Sequence, residues 1–153
     1  LFKGAVERDR DDWQSPLLLD SVLVALGRTD EAEHFARLGI RRAEEALRLH
    51  PENSRPAQLG APTLARLGER ERAGDWRAMF IDPEDPIVAY NAACTYAQLG
   101  DTEKAFASLD KWAANSGSEM EMWLETDNDL DDLRPDPRLT VIVERLRARR
   151  ATA

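Results

Sequence analysis

Gln98-Leu99-Gly100-Asp101-Thr102-Glu103-Lys104-Ala105 reads as a turn between two helices, and the chain carries two earlier versions of it. These are Ala25-Leu26-Gly27-Arg28-Thr29-Asp30-Glu31-Ala32 and Arg66-Leu67-Gly68-Glu69-Arg70-Glu71-Arg72-Ala73. Each runs Leu-Gly, four polar residues, then Ala. Glycine stands where a helix ends and the chain needs a positive φ, and the polar residues after it offer oxygens to cap the next helix. The alanine falls where two helices must approach closely. Repetition of such a phrase predicts an array of helical hairpins.

Outward from the third turn the apolar spacing is helical. Val88, Ala92, Ala93, Tyr96 and Leu99 recur at three- and four-residue intervals before it, and Ala105, Leu109 and Trp112 after it. Asp85 before Pro86, and Ser54 shortly before Pro56, mark helix starts, while Pro51 and Pro83 punctuate the helices before them. The helix after Ala32 extends through Leu49, whereas the stretch from Ala73 to Pro83 is short and Pro62 falls inside a helix it should kink. The middle hairpin is therefore expected to be irregular. After Gly117 come a short apolar helix around Met120, Met122, Trp123 and Leu124, an acidic run from Asp127 to Asp132, and a final amphipathic helix. That helix runs from Pro137 to about Arg149, capped by Asp136, and carries Leu139, Ile142, Val143 and Leu146. The expected organisation is about three hairpins over residues 1–118 and a capping segment of the same domain over 119–153, since a last repeat otherwise exposes its apolar face.

From about Trp13 to Gly117 the chain resembles the tetratricopeptide repeat, whose hairpin of about 34 residues carries Leu-Gly and Tyr in its first helix and Ala in its second. The third unit fits best, with Tyr96, Gly100, Ala105 and Leu109 in order, although Gly117 stands near the place of the closing proline. The resemblance implies an all-α, right-handed superhelix of antiparallel hairpins with a C-terminal capping helix. The second half is more specific. Ile81-Asp82-Pro83-Glu84-Asp85-Pro86, Tyr90 to Gly100 and Asp127 to Arg138 resemble the C-terminal region of multidomain bacterial proteins. In those, such repeats follow a class III nucleotide cyclase, a winged-helix regulator or a serine/threonine kinase domain. The resemblance implies a regulatory appendage, here assigned to the cyclase branch, with an upstream catalytic domain among its partners.

A formal net charge of −8 excludes a nucleic-acid binder, whose phosphate contacts need surplus Lys and Arg, and disfavours an anionic membrane. No apolar run reaches the length of a membrane span and no signal segment opens the chain. The single cysteine, Cys94, excludes an internal disulfide, which suits a reducing cytoplasm. Leu1 without a methionine reads as part of a longer polypeptide.

No phosphate loop, dinucleotide fingerprint, nucleophile elbow or zinc-protease helix is present, so no catalysis and no cofactor are expected. Asp127, Asp129 and Asp131 have the alternate spacing of a calcium loop. Asp132 nevertheless replaces its glycine and Arg138 its bidentate glutamate, so a solvated turn with Leu130 and Leu133 dipping into the core is the expectation, and no metal. His34 and His50 read as surface residues, Cys94 as a buried small side chain, and Trp76, Trp112 and Trp123 as gap fillers between helices.

If the repeats bind a protein or peptide, the face lined by first helices is the place. Counting back from the turn glycines puts Gln14, Ser21, Arg55, Gln58, Arg66, Tyr90, Cys94 and Gln98 on it. Arg55 and Arg66 could grip a carboxylate. Asn91 alone matches the carboxylate clamp of chaperone-binding tetratricopeptide proteins, which disfavours that partner. The leading expectation is a protein-interaction or regulatory module. Its rivals are a small-ligand sensor, which an enclosed pocket near Pro62 would favour, and a homodimeric scaffold, which an apolar self-contact would favour.

Overall fold

The computed structural model describes Val6 and residues 9–82, 84–116 and 120–152. Pro83 and Gly117, given punctuating roles above, lie outside the described residues. Every regular element among them is helical, none is a strand, and the helices pack in pairs. The chain divides into two compact units, Leu1–Phe80 and Ile81–Ala153.

The first unit contains α1 (Gln14–Ala25), α2 (Thr29–Leu49), α3 (Arg55–Arg66) and α4 (Arg70–Ala78). α1 ends at Leu26, after which Gly27 takes φ 67°. The Gly27 N–H then donates to the Val24 carbonyl and the Arg28 N–H to the Leu23 carbonyl, both at 2.9 Å. This double bond pattern satisfies carbonyls that the helix end would leave open. Gly68, at φ 83°, repeats it with Ala65 and Leu64, and in the second unit Gly100, at φ 73°, repeats it with Ala97 and Tyr96. The recurrent Leu-Gly is therefore the C-cap residue followed by the left-handed one.

The alanines five residues past each glycine, Ala32, Ala73 and Ala105, are all buried. The helix starts are less uniform than expected. Asp101 caps its helix, its carboxylate accepting from the Lys104 N–H at 3.2 Å, but Arg28 and Glu69 occupy the equivalent places with no side-chain cap. They pair instead with Glu31 and Arg72 one turn on. Nor does the Ser54 side chain cap α3; its oxygen accepts from Gln58 Nε2 at 2.9 Å, and Asn53 Oδ1 takes the Arg55 N–H at 3.1 Å.

α2 has 21 residues and α4 only 9, the long and short second helices expected from the spacing. α3 runs unbroken past Pro62, which is buried within it. Two further glycines permit close packing: a Cβ at Gly39 would come within 2.7 Å of Leu17 Cδ2, and one at Gly60 would overlap the Trp76 ring.

The second unit contains α5 (Pro86–Gln98), α6 (Thr102–Asn115), α7 (Glu121–Thr126), a 3-10 helix (Asn128–Leu133) and α8 (Pro137–Thr152). Asp85 caps α5, accepting the Ile87 N–H at 2.7 Å. Leu109 and Trp112 of α6 share one core with Leu130 and Leu133 of the 3-10 helix and with Ile142 and Leu146 of α8, so the C-terminal segment completes the apolar interior of the α5–α6 pair.

Candidate functional site

Tyr90, Cys94 and Gln98 stand at i, i+4 and i+8 on α5, and the structure brings the acidic loop onto that row. The Tyr90 hydroxyl donates to Asp127 Oδ2 at 2.9 Å, and Cys94 Sγ faces the same oxygen at 3.9 Å. Gln98 Nε2 donates to the Asp129 carbonyl at 3.0 Å. Asp127 Oδ1 meanwhile accepts the Asp129 N–H at 3.0 Å and caps the 3-10 helix. From the other side Arg134 donates to the carbonyls of Leu124 and Asp127 at 2.9 and 3.0 Å. Tyr90 is also flanked by Trp112 and Trp123, with ring centroids 5.3 and 5.0 Å away.

Tyr90 and Cys94 are therefore buried at 4% and 3% exposure, turned toward the chain's own C-terminal segment, and not presented on an open face. Burial first, then the nearby Cys94 and Asp127, pushes the Tyr90 phenol up. Burial first, then the Asp127 and Asp129 charges, pushes the Cys94 thiol well up, so it stays a protonated, weakly nucleophilic group. Cys94, Asp127 and Asp129 do offer three potential metal-ligand atoms within 4.8 Å of one another. Asp127 is already engaged by Tyr90 and by a backbone amide, and Asp131 pairs instead with Arg134 Nε at 2.7 Å, so the alternate aspartates of the acidic run do not converge as a calcium loop. The arrangement acts as a latch.

In the first unit Ser21, Gln58 and Arg66, three of the five expected residues, make internal contacts. Gln58 is buried against Ser54, and the Ser21 hydroxyl donates to the Leu17 carbonyl at 3.5 Å. Arg66 is ion-paired with Asp20, which is 1% exposed and also accepts from the Thr63 hydroxyl at 3.5 Å. Arg66 thus serves an internal carboxylate. Gln14 and Arg55 are exposed. Burial raises the Asp20 carboxyl to about 6 in spite of Arg66 and Thr63, which pull it down. The sequence signal for Asp20 is a lone acid inside the run Leu17-Leu18-Leu19-Asp20-Ser21-Val22-Leu23, where only a paired charge can be buried.

His34 and His50 are exposed, Trp76 and Trp112 are buried, and Trp123 is 39% exposed against Tyr90. Between α6 and α8 runs an open groove of about 430 Å³, lined by Phe106, Ala107, Val141 and Ile142. Arg138 reaches across it to Glu103 at 3.1 Å and Arg145 to Asp110 at 3.3 Å. Both bridges are exposed, so they contribute little to stability and are open to exchange with a partner's charges. No helix among the described residues is long and apolar enough to cross a membrane. No protein-family model matches this chain, nor does any curated protein or solved structure.

Proposed function

We propose that this chain is a tetratricopeptide-type module that docks a protein segment and performs no chemistry of its own. In this reading it is a regulatory part of a larger bacterial signalling protein such as a class III nucleotide cyclase. The observation that carries the repeat reading is the threefold identity of the turns. Gly27, Gly68 and Gly100 close their helices with the same two backbone bonds, and each is followed five residues later by a buried alanine. The cyclase attachment rests on the wording of residues 81–86, 90–100 and 127–138 alone.

The docking surface is the groove between α6 and α8. With Tyr90, Cys94 and Gln98 committed to the acidic loop, the α5 face has no open hydrogen-bonding row, whereas the groove offers Ala107 and Val141 between two pairs of exchangeable charges. It suits a helical segment whose apolar residues meet Ala107 and Val141 and whose charges meet Arg138, Arg145, Glu103 and Asp110. A displayed library of random linear peptides, selected on the immobilised chain, tests this. Binders should lose at least about tenfold in affinity for Val141→Asp, whose exposed position leaves the fold alone. No binders, or binders indifferent to that change, would refute the groove.

A further inference from the structure

We propose that the α6–α8 groove selects one kind of partner, an amphipathic helix of heptad pattern whose two edges carry opposite charge, which seats as a third strand between α6 and α8. This deepens the reading of the groove as a docking surface and rests on it. The two walls are built on one pattern. α6 contributes Glu103, Phe106, Ala107 and Asp110, and α8 contributes Arg138, Val141, Ile142 and Arg145. Each row runs charge, two apolar residues, charge at i, i+3, i+4 and i+7, and every α8 member stands 35 residues after its α6 counterpart. The charges are acidic on α6 and basic on α8.

The bridges across the groove fix how the walls lie. Glu103 faces Arg138 at 3.1 Å and, seven residues further along both helices, Asp110 faces Arg145 at 3.3 Å. α6 and α8 therefore run parallel and in register over one heptad, as two strands of a parallel coiled coil do. Phe106 and Ile142 are buried, while Ala107 and Val141 stay exposed for a further helix.

Spacing selects the partner's backbone. Seven helical residues rise about 10.5 Å, a step that another helix matches with side chains seven residues apart on one edge. An extended chain covers it in about three residues, and side chains three apart point to opposite faces. Charge then selects the sequence. A helix acidic on both edges is opposed by Glu103 and Asp110, and one basic on both edges by Arg138 and Arg145. Acids on one edge and bases on the other satisfy both walls. Whichever edge is acidic, one of the helix's two directions along the groove sets that edge against α8. The resident bridges are exposed, so giving them up costs little.

Fluorescence anisotropy at low salt tests this with two-heptad peptides stapled as helices on the outer face. They share their apolar residues and differ in their edges, which are mixed, all Glu or all Lys, and binding is counted as the part abolished by Val141→Asp. The mixed-edge peptide should bind at least about fivefold more tightly than either other. Asp110→Arg combined with Arg145→Asp keeps the bridge and the net charge, and should weaken the mixed-edge peptide at least about fivefold. A peptide with the charges of one heptad exchanged should recover that loss. The swap is made at this level because Arg138 is also held by Asp136 and lies over the Phe106 ring at 4.1 Å. Equal binding of all three peptides, still abolished by Val141→Asp, would overturn the inference and leave the groove as a docking surface. So would a mixed-edge peptide that fails while library-selected peptides bind, or a swapped chain that the exchanged peptide does not rescue. Failure of every peptide, designed and selected, would remove the groove as well.

Discussion

The Tyr90 hydroxyl reaches across 37 residues of sequence to donate to Asp127 at 2.9 Å, fastening the C-terminal segment to α5. Tyr90→Phe removes that donor and leaves the part-buried Asp127 Oδ2 without it, which should cost about 1–2 kcal/mol of unfolding free energy. Asp127→Ala removes the 3-10 helix cap as well and should cost more, about 2–3 kcal/mol. Urea denaturation followed by tryptophan fluorescence measures both. Equal stability of Tyr90→Phe and the parent would show that the latch contributes nothing.

Asp20 predicts a pH dependence of definite sign. Its carboxyl is raised from 3.8 to about 6 in the folded chain, so the folded state favours the protonated form. That contribution is fully present below about pH 3.8 and is lost as pH rises through about 6, a change of about 3 kcal/mol. Asp20→Asn does not titrate. The stability difference between parent and variant should therefore move in the variant's favour by up to that amount from pH 4 to pH 7, the remaining carboxylates cancelling. A difference that is flat with pH would contradict the buried setting of Asp20.

Three glycine substitutions should separate by sign. Gly60→Ala forces a Cβ into the Trp76 ring and should destabilise by about 1–3 kcal/mol. Gly68→Ala, at φ 83°, should cost about 1 kcal/mol from the left-handed backbone alone. Gly74→Ala, in α4 with nothing near its Cβ, should stabilise by roughly 0.5–1 kcal/mol. Thermal unfolding of the three gives the order directly.

Cys94 should be silent toward a thiol reagent in the native chain, because it is buried and its thiol is pushed up by burial and by two aspartates. Reaction with an aromatic disulfide should appear only as urea unfolds the chain. Rapid modification without denaturant would show that the acidic loop opens easily.

The hairpins were legible because their signals are local. A Leu-Gly pair, a proline after an aspartate and a three-to-four spacing act within a few residues, and the structure places helix ends at Leu26, Leu67 and Leu99 accordingly. The length anomalies of α2 and α4 were legible for the same reason. What the sequence hid depends on contacts between distant residues. Counting from the turn puts Tyr90, Cys94 and Gln98 on one side of α5, but only tertiary packing reveals that the aspartates of residues 127 and 129 close over them. Arg66 looked available for a ligand because its partner, Asp20, lies 46 residues earlier. Gly39 and Gly60 carried no turn signal, since their role is a close approach between helices.

The docking claim is tested most directly by titrating a library-selected peptide into the isotope-labelled chain and following backbone amide shifts. The amides of Ala107, Val141 and Arg145 should move while those of Tyr90 and Gln98 stay in place. Shifts centred on Tyr90 and Gln98, with Ala107 and Val141 unmoved, would mean that the acidic loop gives way to ligand and that the α5 face, not the groove, is the binding surface.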